Sequence, residues 1–157
     1  MGSPLQQSSI MYKHLFVPVD GSELSQRAMD GSIALALQLG ARITGFVAEP
    51  DLPLSAVSGN VSTFTSRVEA HDARTEAHAY ALLGQFEERA RTAGVEFSGK
   101  HLRTPAVDQA IADAAEESGA DMIVMVTHAR GTLGELVFGS HTKTLISRTK
   151  LPLLVLH

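Results

Sequence analysis

Five short apolar runs, at residues 14–19, 42–48, 95–102, 122–126 and 153–156, are separated by segments long enough for a helix, and this alternation constrains the fold more than any other feature. Runs of four to eight apolar residues bounded by turn residues read as buried strands. In the intervening segments apolar residues recur at helical steps, as with Leu24, Ala28, Leu35 and Leu39, or with Ala79, Leu82, Leu83, Phe86 and Ala90. Gly40, Gly94 and Gly119 follow these segments, where a helix end favours a left-handed residue. Strands that alternate with helices pair in parallel, because a parallel neighbour needs a long crossover. The chain is therefore predicted to be α/β, a doubly wound five-stranded parallel sheet with helices on both faces.

The details of that reading are specific. The third run is the most polar, which predicts an edge strand. Pro18 is awkward inside a ladder, since it has no N–H to donate. Residues 49–65 carry two prolines, a glycine and several serines with little periodicity, and are expected to form a long loop of the kind that serves as a lid. Helical spacing resumes at 68–93. Thr104-Pro105 has the form of a helix cap with proline in the first turn, and residues 140–147 read as a short fourth helix.

At 157 residues the chain suits one core, and residues 11–157 show no internal linker or repeat. Residues 1–10 are polar, lack the pattern of a signal peptide and precede a second plausible start at Met11; they are expected to be a disordered leader or a cloning remnant. Thirteen Lys and Arg against seventeen Asp and Glu give a net charge of -4, which provides no basic field for nucleic acid or an anionic membrane. No apolar run approaches the ~20 residues of a membrane span. The absence of cysteine excludes disulfides, thiolate metal sites and cysteine catalysis together, and a cytoplasmic location is the simplest expectation.

In open α/β sheets, ligands bind beyond the carboxyl ends of the strands where strand order reverses, here between the first and fourth. Asp20 ends the first strand, and its carboxylate suits either a ribose hydroxyl or adenine amine or, equally, a turn or helix cap. The fourth strand runs into Thr127-His128-Ala129-Arg130, and Gly139-Ser140 then opens a helix. Backbone N–H groups at such a terminus attract phosphate. His128 and His141 flank the loop, Arg130 is a candidate cation, and Gly131 and Gly134 form a second glycine pair. His71 and His78 lie two helical turns apart, roughly 10 Å by helix rise, too far to share an ion, and read as solvated residues on a helix face. No metal site is expected.

These segments together resemble the universal stress proteins. The residues that carry the likeness are the opening Met11-Tyr12-Lys13-His14-Leu15-Phe16-Val17-Pro18-Val19-Asp20-Gly21-Ser22, the Thr127-His128-Ala129-Arg130 loop, the Gly139-Ser140 pair and the closing Pro152-Leu153-Leu154-Val155. The resemblance implies a five-stranded parallel sheet, a homodimer formed through the last strand and, in one group of the family, ATP binding. It makes Asp20 and Val47 candidates for the adenosine end, and Thr127, Gly139, Ser140 and Thr142 candidates for the phosphates, to which His128 is added by its place in the loop. The ATP-binding pattern is glycine, two residues, glycine, nine residues, then glycine with serine or threonine. Laid on this chain, its first two glycines fall on Val126 and Ala129.

Those two replacements weaken the expectation of ATP, because a side chain disfavours left-handed backbone and occupies space that phosphate oxygens need. The chain has no nucleophile elbow, complete P-loop or recognisable acid and base pair. It therefore reads as a stress-response regulatory module, not an enzyme, that binds an adenine nucleotide weakly through a degenerate phosphate loop. The alternatives are a slow nucleotide hydrolase using His128 or Asp20, and a structural dimer without nucleotide.

Overall fold

The computed structural model describes residues 11–49, 61–126 and 140–157, with the backbone alone at 61, 62 and 140–142. The elements are β1 (His14–Pro18), α1 (Glu23–Leu39), β2 (Arg42–Glu49), α2 (Val61–Ala93), β3 (Phe97–Arg103), α3 (Val107–Glu117), β4 (Met122–Val126), α4 (Ser140–Arg148) and β5 (Leu153–Leu156). The strands form one parallel sheet in the order β3-β2-β1-β4-β5. The chain steps outward from β1 to β3, then crosses back to lay β4 on the other side of β1. Strand order thus reverses between β1 and β4, as the sequence predicts. Residues 1–10, expected to be a leader or remnant, most of the expected lid and residues 127–139 lie outside the described residues.

Successive strand residues point to opposite faces, so each central strand feeds two half-cores. Leu15, Val17 and Val47 pack under α1 and α2, against Met29, Ile33 and Phe86. Phe16, Phe46 and Ile123 pack under α3 and α4, against Ile111, Ala115 and Leu145. Burial on both faces is why β1 and β4 read as unbroken apolar runs. β3 is an edge strand, as its polarity predicts.

The boundaries differ in informative ways. Pro18 is tolerated because it stands at the end of β1, and Val19 continues the pairing by donating its N–H to Phe46 O at 2.8 Å. α2 starts at Val61, seven residues before its apolar periodicity begins, so the expected loop is shorter at both ends: Glu49 belongs to β2 and Thr65 to α2. Thr104-Pro105 precedes α3 instead of opening it. The Thr104 hydroxyl accepts the Ala106 N–H at 3.0 Å, forming a turn that delivers the chain to Val107.

At the amino end of β1, His14 is buried, and its Nε2 lies 2.6 Å from Thr44 Oγ1. Burial, and then the Arg42 charge, lower its pKa. A depressed histidine pKa means that the unfolded chain binds the proton more readily, so stability rises with pH across this window. The contribution is complete above the ordinary histidine value and is lost as pH falls towards the folded one. His14→Gln should flatten that part of the stability profile in urea melts between about pH 5 and 7; an unchanged slope would assign it to other groups.

Candidate functional site

A cavity of about 370 Å3 lies over the carboxyl ends of β1, β2 and β4, at the point where strand order reverses. That size suits a small-molecule ligand. Its floor and walls include Val19, Phe46, Val47, Ala48, Met125 and Val126, and its polar rim includes Asp20, Ser22, Ser25, Glu49, Thr75 and His78.

Asp20 is held by the turn that joins β1 to α1. Its Oδ1 accepts the Ser22 N–H at 2.9 Å and the Ser25 hydroxyl at 3.1 Å. Ser25, buried at the third position of α1, accepts the N–H groups of Asp20 at 3.0 Å and Gly21 at 2.9 Å. Asp20 thus closes an Asx-type turn onto the N-cap residue Ser22, while Ser25 takes the two N–H groups that precede it. Burial alone would raise the Asp20 pKa, but the hydrogen bonds from Ser22 and Ser25 outweigh it and hold the carboxyl below its usual range. Asp20 is therefore ionised at neutral pH and acts only as an acceptor. Among the described residues Oδ2 accepts no hydrogen bond of ordinary length, while the Ser22 hydroxyl beside the carboxylate adds to the lowering of its pKa. Of the two readings of Asp20, the turn acid is the one seen directly, through Oδ1.

Ser25→Ala leaves two backbone donors and one carboxylate oxygen without this partner. It should cost about 1 to 2 kcal/mol in urea unfolding and raise the Asp20 pKa in an NMR carboxyl titration. A carboxyl titration identical to that of the unaltered chain would show that Ser25 does not hold Asp20.

Val47 is 3% exposed and packs in the core under α1 and α2 while also lining the cavity. Val126 lines the cavity from the end of β4. No non-glycine residue has a positive φ among the described residues, so Val126 carries no left-handed strain. That part of the expected penalty is corrected here: what Val126 brings to the site is bulk. Thr127, His128 and Gly139 lie outside the described residues, as do the side chains of Ser140, His141 and Thr142. Only the backbone of Ser140 and Thr142 is placed, in the first turn of α4. Among the described residues, no group of three or more acidic or histidine side chains is arranged to hold a metal ion, and no helix is long and apolar enough to cross a membrane.

Sequence reasoning missed three cavity residues. Glu49, which reads as the start of a loop, is 3% exposed and paired with His101 at 2.5 Å and Arg103 at 2.7 Å. Arg103 also reaches α2, at Asp72 Oδ1 (3.1 Å) and Thr75 Oγ1 (2.8 Å). Thr75 and His78 thereby form an α2 wall. His78 is exposed, as expected of a helix-face histidine, but it faces the β1–α1 turn.

The chain matches the model of the universal stress protein family over residues 11–157. It belongs to that family. A universal stress protein of Mycobacterium tuberculosis is 27% identical over 146 residues, covering 93% of this chain and 97% of that protein. The solved structure of a universal stress protein family member from Burkholderia pseudomallei superposes with a TM-score of 0.75 at 21% identity, over 94% of this chain and 97% of the other. A universal stress protein solved in complex with cAMP superposes with a TM-score of 0.65 at 24% identity, over 94% and 98%. These two solved structures share the overall fold of this chain.

Proposed function

We infer that this universal stress protein is a regulatory module that binds an adenine nucleotide in the cavity above β1 and β4, and that it is not an enzyme. The observation that carries this reading is the ionised Asp20 carboxylate, fixed by Ser22 and Ser25 on the lining of a cavity of ligand size, with one oxygen left to accept from a ligand. An acceptor of that kind suits the hydroxyls of a sugar or the amine of adenine. The cAMP bound to a solved relative supports the ligand class. Asp20 and Val47 take the adenosine end. Thr127, His128, Gly139, Ser140 and Thr142 take the phosphates, and ATP binds weakly because Val126 and Ala129 stand where the ATP-binding pattern has glycine. Denaturing the purified protein and identifying the released small molecule by mass spectrometry tests the reading. An adenine nucleotide is expected; a different metabolite in stoichiometric amount would contradict it.

The same reading places the protein in the cytoplasm as a homodimer joined through β5. β5 pairs with β4 on one side only among the described residues, and an open apolar edge invites a partner strand. Leu154 and Leu156 pack back on the core, Leu156 over Gly31, where a Cβ would lie 2.7 Å from Leu156 Cδ1. Val155 belongs to neither half-core, unlike Leu154, so Val155→Lys tests the edge without removing a core contact. It should move the protein from dimer to monomer in light scattering. A dimer that persists with the fold intact would place the interface elsewhere.

A further inference from the structure

α2 presents two polar side chains to the cavity wall, Thr75 and His78, three residues apart and so on one helix face. Thr75 is committed: its hydroxyl lies 3.0 Å from His71 O, to which it donates, and it accepts from Arg103. His78 is not committed in this way. Its Nε2 makes a long contact of 3.5 Å with Asp20 O, and no other partner is present among the described residues. The ring occupies the space that Gly21 leaves open, since a Cβ at that position would stand 2.5 Å from Nε2 and 2.6 Å from Cε1. Gly21 also has a φ of +85°, so both its backbone and its neighbour call for glycine.

The ring tautomer with the proton on Nε2 is the one that can donate to that carbonyl, and in it Nδ1 presents a lone pair. Two acceptors, Asp20 Oδ2 and His78 Nδ1, thus belong to residues that touch each other on one cavity wall. Neighbouring acceptors match neighbouring hydroxyl donors, and a ribose carries such a pair at its 2′ and 3′ positions. We propose that His78 is a specificity-determining residue that contacts the sugar, taking one hydroxyl of a ribose while Asp20 takes the other, so that the site selects ribonucleosides over deoxynucleosides. The proposal rests on the nucleotide reading above.

Adenosine, 2′-deoxyadenosine and 3′-deoxyadenosine are suitable probes because they carry no phosphate and leave the 127–139 loop out of the measurement. Each would be titrated calorimetrically into the unaltered protein and into the His78→Phe and His78→Ala variants, with folding checked by circular dichroism. In the unaltered protein, loss of either hydroxyl should weaken binding by about 5- to 10-fold. In both variants adenosine should weaken by a similar factor, and one of the two deoxy analogues should then bind as well as adenosine. Variants that keep the full preference and the original adenosine affinity would overturn the role of His78 while leaving the nucleoside site standing. An unaltered protein that binds none of the three at millimolar concentration would overturn both.

Discussion

Arg103→Met should destabilise this fold by about 2 to 4 kcal/mol, because it leaves a buried carboxylate without its principal partner. Glu49 is 3% exposed, and its Oε2 is held by Arg103 at 2.7 Å. His101, at 2.5 Å from Oε1, is the remaining partner among the described residues. The same guanidinium fastens α2 to the sheet through Asp72 and Thr75, so the substitution also loosens the wall that carries His78. Arg103 is 27% exposed, which places the expected cost below that of a fully buried pair. Urea melts would show a lower midpoint, and thermal melts a drop of roughly 5 to 15 °C. The double variant Glu49→Gln, Arg103→Met should recover part of the loss, since it removes the unpaired charge. A double variant less stable than Arg103→Met would mean that packing of the arginine stem, not its charge, dominates.

This cluster also shows where the sequence stops being informative. The strands were legible because β1 and β4 are buried on both faces and read as apolar runs. The strand order at the reversal followed from general rules of parallel sheets. Glu49 was illegible: its partners come from the register Glu49↔Arg103 across two strands, which no local pattern encodes. The first two turns of α2 were illegible for a related reason. Residues 61–67 have no apolar stripe, and α2 near its start is held to the sheet by Arg103 at Asp72 and Thr75. His78 has the spacing of a solvated helix residue, and only the tertiary contact with Gly21 brings it to the cavity. Asp20, by contrast, could be placed from its position at the end of the first strand pattern.

Placing glycine at 126 and 129, as in the pattern of the family's ATP-binding group, should strengthen ATP binding by about 10- to 100-fold. At residue 129 the gain is the relief of a side chain where the pattern has glycine, worth about 1 to 2 kcal/mol if the backbone there is left-handed. At Val126 it is space, since the backbone is strand-like and the side chain lines the cavity. The two changes therefore differ in kind. Val126→Gly should help larger phosphate groups more than it helps adenosine, whereas Ala129→Gly should help every phosphorylated ligand. Calorimetry with adenosine, AMP and ATP separates them, and equal gains for all three ligands in Val126→Gly would show that the valine acts on the fold and not on phosphate.

The most direct test of nucleotide binding at the sheet reversal is a calorimetric titration of ATP into the Val126→Gly, Ala129→Gly protein, with and without Asp20→Ala. The glycine variant should bind with one site per chain. Adding Asp20→Ala should then weaken that affinity by about 10- to 100-fold, the loss of hydrogen bonds to a charged acceptor. ATP binding of unchanged affinity in the folded Asp20→Ala protein would contradict the assignment of the cavity as the nucleotide site.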